Sequence, residues 1–324
     1  MEKGESVISI ALTALLVLVV LGIQRRWSSA TIENMASSAE AFVLKTTGLR
    51  GQTPQLPGYE IVRTYSLPRY HAALYRATPA PLVFAAYRFV LYNLRDQPVF
   101  KIDSVEASLN PWTHLYDFAG RHGLPDPRKR GGPVYTRHLA GDGLPDILLG
   151  QYSGGDHCCT TVTLIELGKD SPKVLGTIGG LDGLPFEGLE IRRLTRQRSW
   201  ELIAHRPYRT VCGLHADAAD VLAVYAFDHG KFTNQTSRFQ KFLGQVLARD
   251  LMKWKQGKDR SLHLLQTLAA DYSQVGQPVM GNQFFQQNLP LFFPQLQSQG
   301  VSPQACIQDV TNLVNRITSS GVKG

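Results

Sequence analysis

The spacing of apolar and polar residues divides this chain into a strand-forming region and a helix-forming region. Between residues 58 and 237, short apolar runs alternate with turn-forming residues, which is typical of strands joined by turns. From residue 238 onward the apolar period changes from two to 3.6, which is typical of amphipathic helices. The pattern therefore predicts an α+β chain that is mainly β, with a C-terminal α-helical region over residues 238–324.

A β-hairpin is predicted near the start of the strand-forming region. Residues 81–92 are β-branched and aromatic, residues 93–97 have turn character, and residues 99–109 alternate in part, with Phe100 and Ile102 on one face. We expect this hairpin to add its strands to the sheet of the segment that follows.

The helix-forming region contains three apolar stripes, which predict a C-terminal helical appendage to the β region. Ser302 followed by Pro303 predicts the start of the last helix, because serine caps a helix and proline suits its first turn. The stripes consist of Phe239, Phe242, Leu243, Val246, Leu247, Leu251 and Trp254, then of Leu265, Leu268, Ala269 and Tyr272, and finally of Ile307, Val310, Leu313, Val314 and Ile317.

An uncharged apolar stretch lies close to the N-terminus. Residues 7–23 are rich in Leu and Val and are followed by Arg25 and Arg26. This length is short for a membrane span, and the core of a signal peptide is the alternative. We expect an uncleaved membrane anchor over residues 1–27, followed by a helix and a proline-marked linker over residues 28–57.

The chain is basic, with a formal net charge of +8 and a pI near 9.3, which allows an acidic partner. Part of this charge is concentrated in one run, where Arg192, Arg193, Arg196 and Arg198 are candidate anion-binding residues. The simplest interpretation of the run is a solvated surface, and the alternative is a site for anionic lipid headgroups or acidic glycans. Nucleic acid is not expected, because no aromatic stacking platform of a known nucleic-acid module accompanies the arginines.

A turn around Asp142 combines turn chemistry with candidate ion ligands. In the spacing of a calcium-binding loop, Asp142, Gly143 and Asp146 occupy the fifth, sixth and ninth positions. His138 and Ala140 occupy the first and third positions, and neither offers a hard oxygen ligand. We therefore expect a structural turn without an ion, with calcium bound through Asp142 and Asp146 as the alternative.

The segment after this turn carries the motif SGGDHCC at residues 153–159. Turn and motif together resemble the FG-GAP or VCBS-type repeats of extracytoplasmic bacterial proteins, in particular a group with the motif SGGxHCC. A degenerate second copy follows 55 positions later, where Glu201 stands in the place of Asp146. The resemblance covers roughly residues 130–240. It implies that residues 58–237 form a degenerate repeat domain with partial propeller-like or sandwich sheets.

The resemblance also implies a location for the protein. Repeat proteins of this kind are exported, which implies a single-pass protein of the cell membrane whose large domain is extracytoplasmic, in the periplasm. The positive-inside rule, applied to Arg25 and Arg26 after the apolar stretch, favours a cytoplasmic domain instead. We follow the resemblance and expect the extracytoplasmic side, with the membrane contacted through residues 7–23.

Four cysteines, Cys158, Cys159, Cys212 and Cys306, are present in the chain. An even number in an exported protein favours disulfides, although three pairings are open. We expect either Cys158 or Cys159 to join Cys212 and so to connect one repeat to the next. A structural zinc site that includes His157 is not expected, because the paired CxxC spacing is missing.

These observations favour a membrane-anchored binding or assembly protein without catalytic activity or a cofactor. Its partner would be a protein or an acidic ligand. One alternative is a hydrolase or thiol enzyme centred on His157, Cys158 and Cys159, although the chain lacks the GxSxG and HExxH motifs. An acid–base pair of His205 with Asp156 or Glu201 also stays open. Another alternative is an accessory subunit of a membrane protein complex.

Overall fold

The computed structural model describes residues 53–67, 69–78, 87–104, 114–115, 138–155, 158–181 and 188–320. These residues form a mainly β structure followed by C-terminal helices, as the apolar pattern predicts. The predicted anchor at residues 7–23 and most of the linker at residues 28–57 lie outside the described residues. Among the helices that are described, none is both long enough and apolar enough to cross a membrane.

The first sheet contains four strands that follow one another along the chain. They are β1 (Tyr59–Leu67), β2 (Tyr70–Ala77), β3 (Tyr87–Asn93) and β4 (Pro98–Ser104), in the order β1-β2-β3-β4. Strands β3 and β4 form the predicted hairpin, but the expectation that it would extend the next sheet was wrong. Among the described residues the hairpin pairs only with β2, and the strands that follow β4 in the chain belong to other sheets.

Two further four-stranded sheets repeat this arrangement in chain order. The second sheet, β5-β6-β7-β8, consists of His114–Leu115, Asp146–Gly155, Cys158–Leu167 and Pro172–Leu181. The third sheet, β9-β10-β11-β12, consists of Leu189–Arg192, Glu201–Tyr208, Ala219–Asp228 and Lys231–Asn234.

Five α-helices follow β12. They are α1 (Gln240–Lys255), α2 (Leu262–Gln274), α3 (Pro278–Asn288), α4 (Phe293–Ser298) and α5 (Pro303–Ser320).

Helix α2 packs on strand β11 through specific polar contacts. The Thr267 hydroxyl accepts a hydrogen bond from the backbone N–H of Asp220 at 3.0 Å. The Gln274 amide accepts from the Leu222 N–H at 3.4 Å and donates to the Leu222 carbonyl at 2.6 Å. These bonds satisfy backbone groups of β11 that the helix would otherwise remove from water.

The chain divides into two compact units, each with a core of its own. The first unit contains the described residues up to Gly154 together with Val162–Leu175, and the second contains Gly155–Thr161 and the described residues from Gly176 onward. The first unit buries side chains such as Phe89 and Ile147. In the second unit, one cluster is built around the helices and another lies between the third sheet and α1.

A disulfide joins Cys212 to Cys306 within the second unit. The prediction of a disulfide is confirmed, but the predicted partner of Cys212 was wrong. Cys212 lies in the loop between β10 and β11, and this loop packs on α5, where the Val211 N–H donates to the Asp309 carboxylate at 2.8 Å. That packing places the Cα atoms of Cys212 and Cys306 4.7 Å apart. Strand β7 contains Cys158 and Cys159, whose side chains lie outside the described part of the structure.

Candidate functional site

The site is built from the turn that connects β9 to β10. Glu201, the first residue of β10, is only 1% exposed. One of its carboxylate oxygens accepts a hydrogen bond from the Leu194 N–H at 2.7 Å, and the other accepts from the Thr195 hydroxyl at 2.7 Å. The buried acid therefore holds the turn in place, and Arg196 and Arg198 lie exposed on it.

The corresponding turn before β6 is also held by a buried acid, which accepts from two residues at the same spacing. Asp146, the first residue of β6, is fully buried, and one of its oxygens accepts from Leu139 N–H at 2.6 Å and from Ala140 N–H at 3.1 Å. The donors lie seven and six residues before the acid, as they do for Glu201. The two turns therefore match at the offset of 55 that the sequence indicated.

Both residues of the predicted calcium turn are bonded to that turn's own backbone. Asp142 accepts a hydrogen bond from Leu144 N–H at 2.9 Å, and Asp146 accepts both of its backbone bonds through Oδ2, whereas its buried Oδ1 has no hydrogen-bond partner among the described residues. Burial, reinforced by the charges of Asp142 and Glu166, raises the pKa of Asp146 to about 7 against the effect of its two backbone bonds. In the described ranges, no group of three or more His, Cys, Asp or Glu side chains has the arrangement of a metal site.

A cleft of about 490 Å³ opens beside the Glu201 turn, entirely within the second unit. One wall is the turn itself, another is the end of β11, and the third is the start of α1 together with the turn before it. The lining includes three basic side chains from two separate segments, namely Arg193, Arg238 and Lys241. We refer to it as the cationic cleft.

The basic side chains of the cationic cleft lack carboxylate partners. The guanidinium of Arg193 lies over the Trp200 ring, 4.7 Å from its centroid, and Arg238 donates to the Gln235 side-chain oxygen. Among the residues that the structure describes, no carboxylate forms a salt bridge with Arg193, Arg238 or Lys241. Positive charge that is not neutralised within the protein is available to an anion.

The two acidic side chains in the lining are already bonded. Glu201 accepts from its own turn, while Asp228 accepts from His229 at 2.9 Å and from Gln235 at 3.4 Å. The cleft therefore combines bonded carboxylates with unpaired cations, an arrangement that suits an anionic ligand better than a cationic one.

The four arginines predicted to bind an anion do not all reach the cleft. Arg193 lines it, and Arg196 and Arg198 lie on the turn that forms its wall. Arg192 is the last residue of β9 and forms a salt bridge with Glu190 at 2.5 Å. The contributions of Arg238 and Lys241 were missed, because they follow β12 and only tertiary packing brings them to Arg193. The sequence signal that could have indicated them is that both basic residues lie next to apolar positions of the first predicted helix, Phe239 and Phe242.

A second group of polar residues lies further along the same face of the third sheet. Alternate residues of a strand share a face, so Ile203 and His205 follow Glu201 on one side of β10. Ile203 packs with Leu243 and Val246 of α1, and it lies between Glu201 and His205 along that side of β10.

His205 is held between two carboxylates from neighbouring strands. Its Nδ1 lies 2.6 Å from Asp220 Oδ2, and its Nε2 lies 3.1 Å from Glu190 Oε1. Burial opposes protonation, but the bonds and charges of Asp220 and Glu190 outweigh it and raise the pKa of His205 to about 9. The alternative pairing of His205 with Glu201, which the sequence left open, is not formed, because four residues of a strand span about 13 Å and His205 bonds Asp220 and Glu190 instead. Asp156 lies outside the described residues.

This arrangement makes His205 part of an ionic network and leaves no ring nitrogen to accept a proton at neutral pH. Within the described structure, no hydroxyl or thiol is hydrogen-bonded to His205.

Two further acids lie on the helices. Asp250 of α1 bonds to Arg249 at 3.0 Å and to Lys253 at 2.7 Å, and Asp271 of α2 is buried nearby. Burial raises the pKa of Asp271, and the charges of Asp250 and Asp220 add to this effect.

The residues of the proposed thiol site are not part of the described side chains. His157 lies outside the described residues, and Cys158 and Cys159 are described only as part of β7. No protein-family model matches the chain, and neither a curated protein nor a solved structure matches it.

Proposed function

We propose that this protein is a non-catalytic binding protein of the cell membrane that recognises an acidic ligand in the cationic cleft. The observation that carries this proposal is the imbalance of partners in the cleft. Arg193, Arg238 and Lys241 have no carboxylate partner among the described residues, whereas Glu201 and Asp228 have hydrogen-bond donors. An anion that enters the cleft therefore gains charge-assisted hydrogen bonds without breaking an existing ion pair.

The state of His205 supports binding over acid–base catalysis. A general base must accept a proton near neutral pH, and an imidazole with a pKa of about 9 between two carboxylates is already protonated there. His205 therefore acts as a structural cation that joins β10 to Glu190 and Asp220.

The disulfide supports an extracytoplasmic location for the second unit. Bonds such as Cys212–Cys306 persist in oxidising compartments, whereas the cytosol keeps thiols reduced. In this proposal, residues 7–23 anchor the chain and the β-rich region lies outside the cytoplasm.

The matching turns at Asp146 and Glu201 support the proposal that the chain is a degenerate repeat protein of the FG-GAP-like type. Each of the three sheets runs through its four strands in chain order, which is also the arrangement of strands in a propeller blade. The ligand site belongs to the more degenerate copy, in which arginines replace the first position and the glycine of the turn. We propose that loss of the original turn chemistry accompanied the gain of anion binding.

The proposal is tested by titrating the full chain, in a non-ionic detergent, with inorganic pyrophosphate in a calorimeter. We expect saturable binding that is weakened at least 10-fold in the triple variant Arg193→Ala, Arg238→Ala, Lys241→Ala, since each lost partner removes a charge-assisted bond.

The single variant Lys241→Ala is titrated as well, with Lys255→Ala as its matched control. Lys255 is exposed on the same helix, and 14 residues of helix separate the two lysines by about 21 Å. Equal weakening in Lys255→Ala and Lys241→Ala, or no weakening in the triple variant, would show that the cleft is not the binding site.

A further inference from the structure

The cationic cleft is lined on one side by aromatic rings as well as by cations. Phe239 is 9% exposed, while Phe227 and Phe242 are half-buried and contribute to the same lining. Phe227 packs against Phe232 with ring centroids 5.4 Å apart, which restricts how far its ring can turn away. The cleft therefore presents an apolar wall beside unpaired positive charge.

From this combination we infer that the ligand is an oxyanion joined to an apolar group, with a phosphate ester as the chemical class. The inference rests on the proposed function, since it specifies the ligand of the same cleft. A volume of about 490 Å³ lies within the range of small-molecule sites, roughly 300–1,000 Å³, and accommodates a head group with part of an apolar body. A free aryl phosphate and the phosphate headgroup of a lipid both have this chemistry.

The basic residues are suited to the head group. The guanidinium carbon of Arg193 lies over the Trp200 ring, 4.7 Å from its centroid, and this cation–π contact leaves guanidinium N–H groups for two oxygens of a phosphate. Arg238 reaches the cleft from the 3-10 turn before α1 and Lys241 from the first turn of α1, so the head group would be contacted from two segments of the chain.

The aromatic wall is suited to the rest of the ligand. Phe242 also packs partly against the apolar cluster under α1, which holds its ring at the edge of the cleft. A phosphate that carries a ring or an acyl chain would bury apolar surface against Phe227 and Phe242, whereas inorganic phosphate would not. This contact should improve affinity on the order of 10- to 100-fold.

Calorimetric titration of the full chain in non-ionic detergent compares three probes. They are inorganic phosphate, phenyl phosphate and dihexanoyl phosphatidic acid below its micelle-forming concentration. We expect both esters to bind more tightly than inorganic phosphate. If the short-chain lipid binds more tightly than phenyl phosphate, a lipid headgroup is the source, and the opposite order identifies a free aryl phosphate.

Substitution of the aromatic wall separates the two parts of the site. Phe242→Gln should weaken phenyl phosphate about 10-fold and leave inorganic phosphate unchanged, while Phe242→Leu keeps the wall apolar and should resemble the unaltered chain. Thermal unfolding establishes that each variant is folded. If Phe242→Gln does not fold, Phe227→Ala makes the same test from β11.

Two further outcomes show whether the inference fails alone or together with the proposed function. Equal affinity for phenyl phosphate and inorganic phosphate, unchanged in Phe242→Gln, would overturn the inference and leave anion binding in place. Absence of binding by all three probes and by pyrophosphate would overturn both.

Discussion

Loss of the Cys212–Cys306 disulfide should destabilise the second unit by about 4 kcal/mol. The bond joins residues 94 positions apart, so breaking it restores a large amount of conformational freedom to the unfolded chain. Loop-closure entropy for a loop of this size is worth roughly 4 to 5 kcal/mol at 25 °C, and measured values are often lower. Both cysteines are fully buried, so replacement by alanine also removes packed sulfur atoms from the core.

Urea unfolding of the variants Cys212→Ala, Cys306→Ala and the double variant measures this loss. Trp254 belongs to the same core cluster as both cysteines, so its fluorescence follows the unfolding of that core. Because each single substitution breaks the same bond, the double variant should lose about as much free energy of unfolding as either single variant. Additive losses, or a loss below about 1 kcal/mol in the double variant, would refute the reasoning.

Three further predictions concern titrating groups and helix packing. Burial and the bond to Asp142 raise the pKa of Glu166 to about 7. The folded state therefore retains a proton that the unfolded state releases near pH 4.5, and urea stability of the first unit should fall as pH rises from about 5 to 8. Glu166→Gln should reduce that fall, and an unchanged profile would argue against the shift. The pKa of His205 is raised for a different reason, because Asp220 and Glu190 stabilise its charged form. This contribution to stability is fully present below pH 6.5 and is lost as pH rises through about 9. His205→Gln should therefore destabilise the second unit at pH 6 more than at pH 9.5, which urea unfolding at the two pH values measures. Finally, Gly281→Ala should lower the melting temperature, because the added Cβ would lie 2.7 Å from the Ala269 carbonyl oxygen of α2. A cost of roughly 1–3 kcal/mol is expected, and an unchanged melting temperature would show that α2 and α3 can separate slightly without cost.

Local patterns in the sequence predicted the elements of the fold well. The change of apolar period near residue 238 marks the start of the helices, and α1 begins at Gln240 after a 3-10 turn over Thr236–Phe239. The sequence also predicted the match between the turns of Asp146 and Glu201, because each buried acid and its turn donors lie within seven residues of each other.

Contacts that depend on strand register and helix packing could not be predicted from the sequence. Glu190 and Asp220 each lie 15 residues from His205, and both meet it only because β9 and β11 pair with β10 in one particular register. Likewise, the pairing of Cys212 with Cys306 requires α5 to pack on the loop after β10. Neither the register nor that packing leaves a periodic signal in the sequence.

The cationic cleft contains one residue that the sequence indicated and two that it did not. The arginine run pointed to Arg193, since clustered charge is visible in the sequence. Arg238 and Lys241 belong to a different segment, and their convergence with Arg193 follows from the packing of α1 on the third sheet. The interpretation of the arginine run as a solvated surface therefore holds for Arg196 and Arg198, which are exposed. It does not account for the cleft beside them.

Hydrogen–deuterium exchange of the full chain, with and without saturating pyrophosphate, tests the location of the proposed binding site most directly. Our account predicts slower exchange on binding in the Glu201 turn, residues 193–200, and in the segment entering α1, residues 235–245, because both line the cationic cleft. The distant end of α1 around Lys255 should be unaffected. Protection confined to other segments, or no protection at saturation, would contradict the account.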